Sequence, residues 1–91
     1  MEITNIRIIL VNEKKLKAFA SFILNKSFVI TGLKIIEGSH GYLVSMPTIR
    51  TSDGTYRDIF YPTNSETRKI ITDKVLEAFE SKINKLENLE Q

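Results

Sequence analysis

The sequence predicts an α+β fold, in which a small antiparallel β-sheet of about five strands is followed by a C-terminal helix. Through roughly the first two-thirds of the chain, apolar residues alternate with polar ones, as they do in half-buried strands. In the remaining third the apolar residues recur every three or four positions, which is the period of an amphipathic helix. We expect a single domain over residues 1–91, with strands at about 3–61 and the helix at about 65–86.

The first two strands are predicted from apolar residues that share one face. In the segment ITNIRIILV, Ile6, Ile8 and Leu10 alternate with Asn5 and Arg7. The polar turn NEKK separates this segment from LKAFASFIL. The second segment places five apolar residues on one face: Leu16, Ala18, Ala20, Phe22 and Leu24.

Three further strands are predicted from the middle of the chain. SFVITGLKII forms the third strand, and its Gly32 indicates a bulge or a close contact. YLVSM forms the fourth, which ends at Pro47. The dipeptide Asp53-Gly54 is the strongest hairpin signal in the sequence, because hairpin turns need positive φ angles. The fifth strand, TYRDIFY, follows this turn.

The helix is predicted from its first turn and its apolar stripe. Asn64 or Ser65 can accept the first free backbone N–H groups, and Glu66 complements the positive end of the helix dipole. The stripe that should face the sheet contains Ile71, Val75, Leu76, Phe79, Ile83 and Leu86. The five phenylalanines occur in apolar patterns and are predicted to be core residues: Phe19, Phe22, Phe28, Phe60 and Phe79.

Composition disfavours catalysis and metal binding. The chain has no cysteine, which excludes disulfides, thiolate zinc sites and cysteine nucleophiles. Its one histidine, His40, lies in a glycine-rich loop without a second ligand or base. Asp53 and Asp58 could form an acid–base pair. The better interpretation is that Asp53 is needed for the turn and that Asp58 bonds a neighbouring arginine or backbone N–H group. We predict no enzyme activity, cofactor, metal or small-molecule substrate.

We expect a cytoplasmic protein, because the absence of cysteine fits a reducing compartment. The N-terminus lacks the basic start and the continuous apolar run of a signal peptide, and no segment is long and apolar enough to span a bilayer. We therefore expect no membrane association. The net charge of +2 supports a polyanionic partner only weakly.

The arginines of the hairpin are its unusual feature. If Asp-Gly closes a two-residue turn, Arg50 lies directly across from Arg57, and Ile49 across from Asp58. Like charges that face each other across strands are unfavourable unless something neutralises them, and a phosphate suits the planar guanidinium group. A loop of three or four residues would change these partners.

The start of the helix adds two basic residues, Arg68 and Lys69, where the helix dipole favours acids. They are consistent with a phosphate-backbone site, but equally with solvated side chains on an exposed turn. Tyr56 and Tyr61 could stack on unpaired bases, although strand tyrosines are more often half-buried packing residues.

Three segments resemble the SpoVG family of bacterial proteins, which is named for sporulation and septation: ITNIRI, FVITGLKIIEGSHGYLVSMP and RTSDGTYRDIFYPTNSETR. The resemblance extends to about residue 80 and is most specific between Met46 and Arg68. It implies small cytoplasmic homodimers that bind DNA site-specifically, and in some members RNA, and regulate genes and septation. It also implies nucleic-acid binding by Arg50, Arg57 and Arg68, with Lys69 as a neighbour.

Three positions depart from the family pattern. Ile49 stands where the family usually has a basic or polar residue, Ser52 where proline is common, and Tyr61 where histidine is usual.

The leading hypothesis is a homodimeric regulator that binds nucleic acid. The alternative is a protein-interaction module that acts on cell-division or regulatory partners, with incidental nucleic-acid binding.

Overall fold

The computed structural model describes residues 1–90. In chain order its elements are β1 (Ile3–Leu10), β2 (Leu16–Leu24), β3 (Phe28–Gly38), β4 (Gly41–Ser45), β5 (Thr48–Arg50), β6 (Tyr56–Asp58) and α1 (Ser65–Glu90). Strands β1–β4 form an antiparallel sheet in the order β1-β2-β3-β4, and β5 pairs with β6 in a separate two-stranded sheet. The predicted α+β class is confirmed, although six strands in two sheets replace the expected five.

Two bulges keep the apolar residues of the large sheet on its inner face. Asn5 has a positive φ of 51°, and the pairing of β1 with β2 shifts register beside it, so that Ile3 packs against the core together with Ile6. Gly32 has a φ of 86°, and the pairing of β2 with β3 shifts register there. A Cβ at Gly32 would lie 3.5 Å from the Pro47 side chain, so the predicted bulge and close contact are both present.

The core lies between the inner face of the large sheet and α1. Its fully buried members include large apolar side chains from both layers: Phe22, Leu33, Ile35, Ile71, Val75 and Phe79. Tyr42 on β4 meets Phe79 edge-to-face at 4.9 Å between ring centroids, and Phe22 meets Phe60 in the same way at 6.3 Å. The second contact attaches the segment after β6 to the core.

Two of the five phenylalanines are not core residues, and their prediction was wrong. Phe19 lies on the outer face of β2 and is partly exposed, because α1 covers only the opposite face of the sheet. Phe28 begins β3 at the end of the sheet, next to the β2–β3 turn, and is 62% exposed. Alternation alone did not show where the helix stops covering the sheet.

The helix begins as expected, with the Asn64 side chain as its N-cap. The Asn64 carboxamide oxygen accepts a hydrogen bond of 2.7 Å from the Thr67 backbone N–H. The helix continues to Glu90, and its apolar stripe packs against the core as far as Ile83, whereas Leu86 is 43% exposed. Within residues 1–90, no helix combines the length and apolarity that crossing a membrane requires.

Removing the N-cap should destabilise the fold measurably. We expect Asn64→Ala to lower the free energy of unfolding by about 1 kcal/mol, because the Thr67 N–H loses its acceptor. Urea denaturation measures this loss. Ser65→Ala is the matched control and should cost less than about 0.5 kcal/mol. A larger cost for Ser65→Ala would identify Ser65 as the functional cap instead.

Candidate nucleic-acid interface

The hairpin between β5 and β6 closes through a three-residue loop. The Thr51 N–H donates a hydrogen bond to the Thr55 carbonyl at 2.8 Å, and the Gly54 N–H donates one to the Thr51 carbonyl at 3.0 Å. Gly54 has a φ of 89°. This is a type I turn followed by a glycine bulge, in which glycine takes the left-handed position.

The longer loop changes the register that a two-residue turn would have produced. Arg50 pairs with Tyr56, and Arg57 pairs with Ile49, so the expected pairing of Arg50 with Arg57 is wrong. Cross-strand partners share a face and successive residues alternate, so the two arginines project from opposite faces of this ribbon. The hairpin therefore holds no pair of facing like charges.

The Asp53 carboxylate stabilises the turn through hydrogen bonds. It accepts hydrogen bonds from the Thr51 hydroxyl, from the Thr55 hydroxyl at 2.8 Å and from the Thr55 N–H at 3.1 Å. These bonds, those from the threonine hydroxyls first, stabilise the ionised carboxyl and lower its pKa from 3.8 to about 2. Asp53 is therefore a structural residue of the turn.

Acid should loosen this turn in a defined pH range. Because the folded pKa of Asp53 is depressed, its stabilising effect is complete above 3.8 and disappears as the pH falls through about 2. The amide chemical shifts of Gly54 and Thr55, followed by NMR during acidification, should titrate with a midpoint near the lower value. Asp53→Asn should abolish this titration. A midpoint at 3.8 would contradict the hydrogen bonding described.

A groove of about 510 Å³ runs beside β6 and is lined by Tyr56, Arg57, Asp58, Tyr61 and Arg68. Successive side chains of a strand point to opposite faces, so a groove that touches three consecutive residues follows the edge of the strand. That edge of β6 has no strand beside it among residues 1–90. The structure thus brings Arg57 and Arg68 together.

Backbone groups of β6 face the same groove. Thr51 with Thr55, and Pro47 with Ile59, are joined by backbone hydrogen bonds across the hairpin. Hydrogen-bonded and non-hydrogen-bonded pairs alternate along an antiparallel ladder, so the N–H and C=O groups of Tyr56 and Asp58 point away from β5. The free edge therefore offers backbone hydrogen-bond donors and acceptors on either side of Arg57.

The SpoVG family profile matches residues 1–81. The chain belongs to the SpoVG family. It is 42% identical over 83 residues to the "Putative septation protein SpoVG" of Bdellovibrio bacteriovorus, covering 91% of this chain and 77% of that protein. It is also 42% identical over 91 residues to the protein of the same name from Bacillus cytotoxicus, covering 99% of this chain and 93% of the relative. These names refer to septation and specify no reaction.

The other two predicted site residues, Arg50 and Lys69, do not line the β6 groove. The Arg50 guanidinium folds toward the turn, where its Nη2 atom would lie 3.8 Å from a Cβ on Gly54. The Lys69 ammonium forms an ion pair of 2.8 Å with Asp73, and this hydrogen bond raises the pKa of Lys69. The structure therefore separates Arg50 and Lys69 from the pair formed by Arg57 and Arg68.

Phe60 explains why the tyrosine beside it is available. Because Phe60 packs toward Phe22 in the core, its neighbour Tyr61 extends into solvent and is 61% exposed. Tyr56 is 70% exposed. The sequence left open whether these tyrosines pack or stack, and their exposure excludes a packing role for most of each ring.

A second basic groove, which the sequence did not indicate, lies between β1 and α1. This groove is larger, about 610 Å³, and its basic side chains are Arg7, Lys82 and Lys85. The Lys82 ammonium already donates to the Ile8 carbonyl on the free edge of β1, and no aromatic side chain lines this groove. We therefore regard the β6 groove as the better candidate, although the pair Lys82 and Lys85, three residues apart on the helix, could have signalled the second one.

Proposed function

We propose that this SpoVG-family chain is a cytoplasmic regulator that binds the phosphates of DNA or RNA in the β6 groove. The observation that carries the proposal is the presence of two arginines, Arg57 and Arg68, in one groove. Neither has a carboxylate oxygen within 4.0 Å among the described residues. Two guanidinium groups without acidic partners present planar donor forks to an oxyanion.

The groove supplies more than charge. The backbone N–H groups at the free edge of β6 are further donors for phosphate or sugar oxygens. Asp58 opposes this function, since it lines the same groove and its negative charge repels a phosphate. The net effect is a moderate electrostatic site in which the two arginines outweigh one acid.

We infer that two copies act together as a homodimer. Each copy carries a single groove with two arginines, and linked weak sites raise the overall affinity for a long polyanion. Exposed apolar side chains such as Ile9 and Val29, which the described residues leave uncovered, support pairing of two copies. Light scattering that reports a monomer at the concentrations used for binding would contradict the homodimer.

A salt titration tests the proposed function. Fluorescence anisotropy with a labelled oligonucleotide should show affinity falling with ionic strength, with a slope in a log–log plot of about −1.4 for two single-strand phosphates in one groove. A homodimer that engages both grooves should approach twice that slope. Absence of binding at low salt, or an affinity that salt does not change, would contradict phosphate binding.

A further inference from the structure

Two of the three tyrosines are mostly exposed, and both line the groove with the arginines. Tyr56 is 70% exposed and Tyr61 is 61% exposed, whereas Tyr42 packs edge-to-face on Phe79. Alternation sends the side chains of Tyr56 and Arg57 to opposite faces of β6, and both residues line the groove along the edge of the strand. Exposed aromatic rings that line a groove together with guanidinium groups can stack on unpaired bases while the cations hold neighbouring phosphates.

The free edge of β6 adds a second reason to expect bases in this groove. The outward N–H and C=O groups of Tyr56 and Asp58 can pair with the donors and acceptors on the edge of a base. In a duplex the base faces are stacked on one another, so the tyrosine rings would find no unpaired base to stack on there. A duplex would keep the contacts of the arginines and lose the stacking.

We propose that the β6 groove selects single-stranded nucleic acid, stacking unpaired bases on Tyr56 and Tyr61 while Arg57 and Arg68 hold the phosphates. This inference rests on the proposed function, because the same arginines anchor the strand. It adds a substrate class that phosphate binding alone does not specify. The exposed phenol ring of Tyr61 supplies a large aromatic surface for such stacking.

Four oligonucleotides of equal length test the selection: single-stranded DNA, single-stranded RNA, an abasic DNA strand and a duplex. The abasic strand keeps the phosphates and removes the bases. We expect the base-containing single strands to bind at least about fivefold more tightly than the abasic strand, the smallest effect of one stacked base. The chain contains no tryptophan, so quenching of tyrosine fluorescence reports stacking directly.

Paired variants distinguish an effect of losing the aromatic rings from an effect on the fold. Tyr56→Leu with Tyr61→Leu should lose at least about fivefold in affinity for the single strand and should not change affinity for the abasic strand. Tyr56→Phe with Tyr61→Phe should keep the affinity, since the ring remains. Phe28→Leu, at an exposed aromatic outside the groove, is the matched control and should have no effect.

The outcomes distinguish the two proposals. If none of the four oligonucleotides binds, both fail. If the abasic strand and the duplex bind as tightly as the base-containing strands, phosphate binding stands and the single-strand inference is wrong. It is equally wrong if the leucine variants bind all four as the parent protein does. A difference between the DNA and RNA strands identifies which single strand the groove prefers.

Discussion

Replacing Phe79 with alanine is expected to lower the free energy of unfolding by about 3–5 kcal/mol, the range for a buried phenylalanine. Phe79 is 2% exposed and is the largest core side chain that α1 contributes. Its ring contacts Tyr42 on β4 edge-to-face at 4.9 Å, so the substitution removes both buried area and an aromatic pair. The cavity would open where the helix meets the sheet, and its cost depends on how far the neighbouring side chains relax into it.

Urea denaturation at a fixed protein concentration measures this effect, since self-association would make stability depend on concentration. Leu86→Ala is the matched control, because Leu86 belongs to the same stripe but is 43% exposed. We expect that control to cost less than about 1 kcal/mol. Equal costs for the two substitutions would show that α1 does not dock on the sheet through Phe79.

Replacing Arg57 and Arg68 together with alanine should weaken nucleic-acid binding by about a hundredfold. Each arginine would lose charge-assisted hydrogen bonds to a phosphate, and such bonds contribute about 1.5–3 kcal/mol apiece, or roughly tenfold or more in affinity. The slope of affinity against salt should also become shallower by about 1.4 for a single strand. Anisotropy titrations at several salt concentrations measure both quantities.

Two control variants show whether nucleic-acid affinity depends on the position of the charges or on the net charge of the protein. Lys14→Ala with Lys15→Ala removes the same charge from the exposed β1–β2 turn and should change affinity little. Asp58→Asn removes the opposing charge from the groove and should tighten binding several-fold. If the lysine variant loses as much affinity as the arginine variant, binding follows net charge and the groove is not the site.

Arg50 and Lys69 should contribute less than the groove arginines. Lys69 is already paired with Asp73, and the Arg50 guanidinium lies near Gly54 of the turn and does not line the groove. We expect a double alanine variant of these residues to weaken binding less than the variant of Arg57 and Arg68. The resemblance to the family suggested all four residues, and the structure ranks them by position.

The sequence predicted the elements whose periodicity is long and regular. Most of the apolar residues assigned to the inner face of β1, β2 and α1 pack in the core, because a long apolar period leaves little ambiguity about which face is buried. Leu86, at the end of the helical stripe, is the exposed exception. The N-cap was also predictable to within one residue, since Asn64 and Ser65 can both accept an N–H bond.

The hairpin register was not predictable from the same evidence. Asp-Gly occurs in two-residue turns and also in the type I turn with a glycine bulge, and the two differ by one position in every cross-strand pair. The threonines at each end decide between them in this chain, because Thr51 and Thr55 both bond to Asp53 across the longer loop. Only the closed loop shows that Arg50 and Arg57 lie on opposite faces.

The groove itself depends on tertiary structure. Arg68 reaches β6 because Phe60 packs on Phe22 and the chain then turns into α1, a path that no local pattern specifies. The same path exposes Tyr61 beside the arginines. The sequence named Arg57, Arg68 and both tyrosines, but not that they share one surface while Arg50 and Lys69 do not.

The most direct measurement is an NMR titration of the ¹⁵N-labelled protein with a single-stranded oligonucleotide at low salt. The account predicts that amide shift changes at saturation concentrate in residues 56–61 and 65–69, with Tyr56, Arg57 and Arg68 among the largest. Changes concentrated around Arg7, Lys82 and Lys85 would place the interface in the other basic groove and contradict the account.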